Sequence, residues 1–389
     1  MMQIPGAYTE GYAKARVHDP ALADLYIEHT CIGDPELDPV MEEIASLPND
    51  RLTRFIRAGI IQEEGGLKDA PQALRDFFQR VDTETPPWLD HQAFRPAIRV
   101  FNLNVTNMLI AFVCGVLIEG FATLIAKSFF ATGRVLDPNT GKRRLMQNNR
   151  QLLEVFYPGG LEREGDGFRL SLRVRFVHAR IRQLLAHSDT WDYARYGTPI
   201  SAAHLGFALT VFSMRLLQYS ALVGTNFNKE EHASVMDVWR YTGYVMGLPE
   251  AVIYKTEEEA RKIFDIAYMC EPPPDEDCAA TANGLISAIP VTASIENPQE
   301  AESVKALAYR ISRALIGNDL ADALHFPRMN TTGTLFAWRT KQRFQRLVRS
   351  KQLLRSQNFT QLLEISEYEE GGSSYRLPDH AESSKSNPW

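Results

Sequence analysis

The sequence predicts an all-α fold in which about a dozen helices form a single large domain. Long segments place apolar side chains three and four residues apart, as on one face of a helix, and turns rich in Pro and Gly separate these segments. No segment alternates apolar and polar residues over the length of a half-buried strand. With 389 residues, the chain is also long enough to bury a large core.

Charge and cysteine content narrow the class of protein. The net charge is −6 and the pI is near 5.9, so the sequence lacks the basic field that favours nucleic acid as a partner.

The chain does not open with a basic stretch and an apolar run, and the four cysteines lack metal-binding spacing. We expect a cytoplasmic protein with reduced thiols. As an alternative, Cys270 and Cys278 flank a Pro-rich loop and are candidates for a disulfide bond.

The first hundred residues are predicted to form short helices broken by turns. Residues 1–30 are expected to be an N-terminal extension, and the main helical domain is expected to cover residues 31–335. A helix is predicted over Asp38–Ile44, where a proline lies in the first turn. Thr85–Asp90, with two prolines and a tryptophan, is predicted to be a rigid connector.

The run Met108–Ala126 is the most apolar part of the chain. Its length would just span a bilayer, but Glu119 interrupts it, so we predict a buried central helix. A buried carboxylate requires a partner or a function. Glu119 therefore has two interpretations, an ion pair with an arginine or a proton-transfer group near a ligand.

The next predicted helix begins near Lys142 and ends before Tyr157. Arg144, Gln147 and Asn148 lie at positions i, i+3 and i+4, so they share one face of this helix. That face is either a polar cluster presented to a pocket or a solvated surface, and the spacing allows both.

A helix over Arg173–Leu185 contains the histidine on which the functional interpretation depends. His178 shares one face of this helix with three apolar residues, Val174, Ile181 and Leu185. Arg175 and Arg182 lie about one turn to either side. A neutral imidazole is a good ligand for iron, and two guanidiniums would suit the propionates of a haem. The alternative is a core histidine that forms ordinary hydrogen bonds.

The remaining helices follow a regular pattern of caps and turns. An apolar helix is predicted over Ala202–Leu222 with Ser201 as its N-cap. Further helices are expected to begin near Lys229, Thr256, Asp277 and Gln299.

The C-terminal part differs in composition. Residues 336–366 are predicted to contain a basic amphipathic helix, and residues 367–389, rich in Glu, Gly and Ser, a disordered tail. The basic helix has two interpretations, peripheral contact with an anionic membrane or a solvated helix packed on an acidic body.

Short motifs in a fixed order connect the chain to a known family. They are Gly33-Asp34-Pro35; Pro87-Trp88-Leu89-Asp90; Thr132-Gly133-Arg134; Arg144; Arg175-Phe176-Val177-His178 with Arg182; Gly197-Thr198-Pro199-Ile200; Glu231, Trp239-Arg240 and Gly243; and Gly247-Leu248-Pro249. With these motifs, over residues 30 to 250, the chain resembles the rubber oxygenase (latex-clearing protein) superfamily, which also includes the fungal membrane-bound oxygenase of mycophenolic acid biosynthesis.

The resemblance implies an all-helical protein whose globin-like core holds one haem b. His178 would be the proximal ligand of the iron, and Arg175 and Arg182 would be cofactor-binding residues around it. Arg144 would lie on the distal side of the haem.

Two departures from the family concern the distal side. Rubber oxygenases have a lysine and a threonine where this chain has Gln147 and Asn148. Gln147 would then lie near the haem as a poor iron ligand, so a resting state closed by a lysine is not expected. Their acidic base has no counterpart in Ala122-Thr123-Leu124, and Glu119, about one turn away, is the nearest carboxylate.

These features predict a haem-b-dependent oxygenase that acts with dioxygen on a hydrophobic small molecule. The expected reaction oxygenates or cleaves a carbon–carbon double bond of an isoprenoid-like chain and gives carbonyl products. Arg144, Asn148 and Glu119 are the catalytic candidates, the first two as hydrogen-bond donors to oxygen. The alternatives are a peroxide-driven haem oxidase or hydroxylase, a haem protein that binds a gas without turnover, and a lipid-binding protein without haem.

Overall fold

Every regular element in residues 2–130 and 138–348, the parts of the chain that the structure describes, is a helix. Side chains are described for residues 2–128 and 145–343. The computed structural model thus confirms the prediction of an all-α domain. The predicted tail at 367–389, the last part of the basic helix at 336–366 and the Thr132-Gly133-Arg134 motif lie outside the described residues.

The helices of the first third are short, as predicted, and lead into the apolar centre of the chain. They are α1 (Thr9–His18), α2 (Pro20–His29), α3 (Leu37–Glu43), α4 (Asn49–Ile60), α5 (Gln72–Thr83), α6 (Arg95–Leu103), α7 (Val105–Ala111), α8 (Leu117–Gly120) and α9 (Ile125–Phe130).

Most of the later helices are longer, and they include the two that contain the predicted site. They are α10 (Pro138–Val155), α11 (Asp166–Ala186), α12 (Tyr193–Tyr196), α13 (Ala202–Thr210), α14 (Leu216–Leu222), α15 (Lys229–Val245), α16 (Glu257–Cys270), α17 (Glu276–Thr292), α18 (Pro298–Ile316), α19 (Asn318–Ala323) and α20 (Thr334–Val348).

Side-chain caps explain why several helices begin where they do. Ser201 accepts a hydrogen bond from the backbone N–H of His204, as its predicted role as an N-cap requires. Asn228 and Glu231 form a capping box at the start of α15. These local bonds use backbone groups that a helix end otherwise leaves unpaired.

The apolar run Met108–Ala126 is buried, but it is not one continuous helix. A π-helical segment, Phe112–Val116, joins α7 to α8, and the helix ends at Gly120. There the hydroxyl of Thr123 donates to the carbonyl of Gly120, and the N–H of Leu124 donates to the carboxylate of Glu271. The chain therefore turns before α9, because Leu124 donates to a distant side chain instead of a helical carbonyl.

Within the described residues, one helix has the length and composition of a membrane span, and a bent pair of helices does so if it is counted as one span. One is Ala202–Leu222, in which 61% of the apolar window is buried within the domain. The other is a pair of helical stretches, His91–Leu103 and Val105–Gly120, bent by 93°. Core helices pass the same test, and the second stretch includes most of the run Met108–Ala126, which was predicted to be buried.

The first two helices pack into the same core as the central ones. Helices α1 and α2 lie against α16, and the backbone of Gly11 approaches the carbonyl of Cys270 without room for a Cβ. The apolar cluster around the central helices also includes side chains from this segment, namely Tyr8, Tyr12, Ala15, Tyr26 and Ile27. Residues 1–30, predicted as an extension, thus contribute directly to the core.

All four cysteines are free thiols, so the alternative of a Cys270–Cys278 disulfide is not realised. Burial raises the pKa of Cys270 and of Cys278 to about 12, so both are protonated at neutral pH. The Sγ of Cys278 donates instead to the carbonyl of Thr123 at 3.4 Å.

Candidate active site around the His178 helix

Helix α11 places His178 at the margin of the core. Val174 and Ile181, about one turn away on either side, are 8% and 1% exposed, whereas His178 is half-buried. The imidazole therefore shares the apolar face that the sequence predicted and is only partly buried.

Arg175 anchors α11 to the segment that precedes α3. Its Nε donates to Asp34 Oδ2 at 2.5 Å, and its Nη2 donates to Asp34 Oδ1 at 2.9 Å and to Glu36 Oε2 at 2.8 Å. The side chains of Arg175 and Asp34 are only 5% and 3% exposed. Burial lowers the pKa of Arg175, but the charges of Asp34 and Glu36 outweigh burial and raise the pKa above its ordinary value. The guanidinium therefore stays charged inside the core.

Arg182 forms a second anchor two turns further along α11. Its Nε and Nη2 donate to the carboxylate of Asp38 at 2.7 to 2.9 Å, and its Nη1 donates to the carbonyl of Ile200 at 3.1 Å. The two arginines thus fix α11 from both sides of His178.

Two glycines among the family motifs make these anchors possible. Gly247 has a φ of +77°, and a Cβ on it would collide with the guanidinium of Arg175 and the carboxylate of Asp34. A Cβ on Gly33 would likewise collide with the carboxylate of Asp38 and the side chain of Arg182. Close approach of the backbone to a buried ion pair explains why glycine occupies both positions.

Helix α10 presents the predicted distal residues. Its last turn contacts the first turn of α11, where Gly167 lies against the carbonyl of Glu154. With a helical rise of 1.5 Å per residue, Arg144 lies about 15 Å from this contact along α10, and His178 lies about 16 Å from it along α11. The two helices therefore place these residues at similar distances from their junction.

The polar face of α10 extends further than the sequence indicated. Gln147 and Asn148 are half-buried, while the side chain of Arg144 lies outside the described part of the structure. Gln151, one turn beyond them on the same face, is 7% exposed, and its Nε2 lies 3.5 Å from the Sδ of Met246. Met246 precedes Gly247, so the end of α15 links this face of α10 to Arg175.

Asn149 is a further polar residue of α10 that the sequence did not single out. It is 7% exposed, and its Oδ1 accepts no hydrogen bond from any residue that the structure describes. An amide oxygen in such a position is available to a ligand or a water molecule.

Glu119 forms the ion pair that was one of its two predicted interpretations. Its carboxylate accepts hydrogen bonds from Arg215 Nε at 2.8 Å, from Arg215 Nη2 at 2.9 Å and from the Tyr219 hydroxyl at 2.9 Å. Burial and the charge of Glu119 raise the pKa of Tyr219 well above its ordinary value. Arg215 ends a second π-helical segment, Val211–Arg215. The carboxylate is thus committed to neighbouring side chains.

A buried polar cluster elsewhere was not visible in the sequence. Glu271 accepts hydrogen bonds from the Tyr26 hydroxyl at 2.7 Å and from the Leu124 N–H at 2.9 Å, and His204 Nε2 lies 3.4 Å away. The Tyr8 hydroxyl is 2.8 Å from the same His204 nitrogen. No spacing motif connects these residues, because each comes from a different helix or turn.

The residues around α11 fit one part of a haem site. A haem iron needs one imidazole from the protein, and the partly buried His178 is a side chain of that type. Arg175 and Arg182 do not fit as partners of the haem propionates in this arrangement, because their guanidiniums bind the carboxylates of residues 34–38. They fit as supports of the ligand helix. Among the described residues no group of three or more His, Cys, Asp or Glu side chains could hold a metal ion.

Comparisons with known proteins identify the family and the fold. Residues 98–350 match the model of a family described as "ER-bound oxygenase mpaB/B'/Rubber oxygenase, catalytic domain". The fold is similar to a solved structure of latex clearing protein in the closed state, with a TM-score of 0.65 and 17% sequence identity. The similarity covers 86% of this chain and 91% of that one. No curated protein sequence matches the chain.

Proposed function

The chain belongs to the family of ER-bound oxygenases of the mpaB/B' type and rubber oxygenases, and on that premise we propose a haem-b-dependent oxygenase of hydrophobic small molecules. The observation that supports the proposal most directly is the half-buried His178 on a helix fixed by two arginine–carboxylate anchors. Such anchoring fixes the orientation of the imidazole, and a metal site requires its ligands to be held in a fixed orientation by neighbouring residues.

His178 is the residue that would hold the iron. When bound, the haem supplies an open iron position at which dioxygen can be activated. Arg175 and Arg182 act through α11, since each forms its ion pair close to His178 and keeps the helix from rotating or sliding. Their contribution is to position the imidazole.

The polar face of α10 would provide hydrogen-bond donors. The side-chain amides of Gln147 and Asn148 are half-buried and, with Arg144, are proposed to stabilise an oxygen atom on which negative charge develops. Glu119 is less suited to accept a proton because Arg215 and Tyr219 already bind its carboxylate. We therefore assign Glu119 to the stability of the core.

A hydrophobic alkene is the proposed substrate class. The family description names rubber oxygenases, and their class of chemistry supports oxygenation or cleavage of a carbon–carbon double bond to carbonyl products. The chain contains no lysine at positions 147 and 148, so the distal side is expected to differ in reactivity from that of rubber oxygenases.

Visible spectroscopy of the purified protein tests the assignment of haem and ligand. We expect a Soret band and a pyridine haemochrome of b type in the wild-type protein, and loss of most bound haem in His178→Ala. His187→Ala is the matched control, since this histidine ends the same helix with a 66% exposed side chain. A colourless wild-type protein from haem-replete cells, or equal haem content in both variants, would overturn the proposal.

The reaction is tested separately with isoprenoid alkenes, a reductant and dioxygen. Oxygen consumption with carbonyl products, absent in His178→Ala, is the expected result. Products that form only when peroxide replaces dioxygen would instead support a peroxide-driven oxidase.

A further inference from the structure

Helix α20 has one face on the protein and one face in solvent. The side chains of Leu335, Trp338, Arg339 and Gln342, spaced at i, i+3, i+4 and i+7, are half-buried. The side chains between them are exposed, including Phe336, Thr340, Lys341 and Arg343. The outer face of α20 is not purely polar, because it combines an aromatic side chain with positive charges.

Specific hydrogen bonds hold the inner face in place. Trp338 Nε1 donates to Asn107 Oδ1 at 3.3 Å. Arg339 Nε donates to the carbonyl of Leu222 at 2.7 Å, and its Nη2 donates to that of Ala221 at 3.1 Å. These bonds complete the C-terminal end of α14, so the orientation of α20 and of its outer face is fixed.

Exposed apolar side chains accompany this outer face. Phe336 is 73% exposed, Leu222 at the end of α14 is 38% exposed, and Leu103 at the end of α6 is 47% exposed. Arg339 binds the carbonyl of Leu222, and Trp338 binds Asn107, which lies four residues after Leu103 and beyond the bend between α6 and α7. Of these three apolar side chains, Phe336 on the outer face of α20 is the most exposed, and its exposure to solvent is unfavourable.

The charge of this region is strongly positive. Between Asp322 and Glu364 the sequence contains eight Lys and Arg residues and no acid, while the rest of the chain has a net charge of −14. In spite of that acidic remainder, neither Lys341 nor Arg343 forms a salt bridge with a residue that the structure describes. Lys341 lies only over the ring of Trp338, at 5.9 Å. Both positive charges are therefore exposed to solvent and have no acidic partner among the described residues.

We propose that the outer face of α20 docks the protein on an anionic lipid bilayer. Phe336 enters the interface between headgroups and acyl chains, and Lys341 and Arg343 bind lipid phosphates and carboxylates. An anionic bilayer has a negatively charged headgroup layer over an apolar acyl-chain layer. The exposed positive charges of α20 match the headgroup layer, and the exposed aromatic side chain matches the acyl-chain layer. A solvated helix held by an acidic body would instead direct its basic residues toward that body.

Vesicle sedimentation with the full-length protein tests this surface. We expect the wild-type protein to bind vesicles of phosphatidylcholine with 30% phosphatidylserine and to bind pure phosphatidylcholine vesicles little. At low ionic strength, each positive charge that is neutralised should weaken binding to the anionic vesicles about fivefold. The double variant Lys341→Gln/Arg343→Gln should therefore bind about 25-fold more weakly, and Phe336→Ser should weaken binding without changing its dependence on salt. Because all three side chains are exposed, these variants should unfold at the wild-type temperature.

The double variant Arg261→Gln/Lys262→Gln is the matched control, since it removes two exposed positive charges from α16. Equal weakening by this control would show a general charge effect and would contradict a specific role of α20. Equal binding of wild type and both α20 variants, or no binding to anionic vesicles, would also overturn the proposal. A change in molar mass by light scattering in Phe336→Ser would assign the face to a second copy of the chain instead.

Discussion

Arg175 and Arg182 are charged residues on a buried helix, and their partners determine what they do. On the sequence they flank His178 and suit a carboxylate-bearing cofactor. In the structure they bind Asp34 and Asp38, which lie 141 and 144 residues earlier. A buried charge requires a fixed partner, so each arginine stabilises one arrangement of α11 and disfavours others.

Removal of one buried partner is expected to be costly. We predict that Asp34→Asn lowers the free energy of unfolding by about 3 to 5 kcal/mol, because the charge of Arg175 then remains in the core without its main counterion. Urea denaturation followed by circular dichroism measures the change. Asp24→Asn is the control: its ion pair with Arg16 is half-exposed, so a loss below about 1 kcal/mol is expected. Equal losses in the two variants would contradict the role of the Arg175–Asp34 pair.

Glu271 should make stability depend on pH. Burial raises the pKa of Glu271. The charge and hydrogen bond of His204, together with the hydrogen bonds from Leu124 and Tyr26, lower it by more than burial raises it, so the pKa lies below the ordinary value. In the unfolded chain its pKa is about 4.3. A carboxylate with a lowered folded-state pKa stabilises the fold at pH values above its unfolded-state pKa. This contribution is lost as the pH falls through the folded-state pKa.

We therefore expect Glu271→Gln to unfold more easily at neutral pH, by about 1 to 3 kcal/mol, with the difference from wild type shrinking below about pH 4. Unfolding free energies measured from pH 3 to pH 7 test this. Glu276→Gln, at an 86% exposed position, should follow the wild-type curve. A constant difference across the whole range would show that the charge of Glu271 is not involved.

At the scale of elements, the turn after α15 connects the two halves of the candidate site. Met246 contacts Gln151 of α10, and Gly247 contacts Arg175 of α11. The φ of +77° at Gly247 and the lack of space for a Cβ both favour glycine there. The turn is therefore part of the support of the His178 helix.

A pair of glycine variants separates backbone strain from collision. Gly247→Ala and Gly317→Ala both place alanine at a positive φ, but a Cβ on Gly317 has no neighbour within 4 Å. We expect Gly247→Ala to be less stable by roughly 2 kcal/mol more than Gly317→Ala, since only the former crowds a buried ion pair. Thermal unfolding of both variants gives the comparison. Similar melting temperatures would mean that Arg175 can move aside at little cost.

At the scale of the whole molecule, the likeness to latex clearing protein extends over most of both chains although only 17% of the aligned residues are identical. The packing of apolar helices can be kept with different side chains, as long as volume and pattern are preserved. Distant parts of the chain are joined by the Glu271 cluster, in which Tyr26 and Glu271 lie 245 residues apart. The first helices are therefore part of this fold.

Truncation tests this integration. Deletion of residues 2–30 is expected to lower stability by several kcal/mol or to prevent folding, because it exposes the faces of α13 and α16 and removes two partners of Glu271 and His204. Deletion of residues 2–4, which are exposed, is the control and should leave the melting temperature unchanged. A truncated protein that unfolds cooperatively at the wild-type temperature would show that residues 1–30 are only an extension.

The class of fold and most helix positions follow from the sequence alone. Helical spacing and caps are local, so Ala202–Leu222 and the helix of His178 were predictable from residues a few positions apart. The likeness of short motifs indicated the family, and the match over residues 98–350 confirms it.

Which charged groups meet depends on tertiary packing. The side chains that pair with Arg175, Arg182, Glu119 and Glu271 lie from 67 to 245 residues away, and no local pattern specifies such pairs. The interruption of the central apolar helix after Gly120 has the same origin, since Glu271 takes the N–H of Leu124. Local periodicity fixes which face of a helix is buried, whereas the pairing of buried charges depends on how all helices pack together.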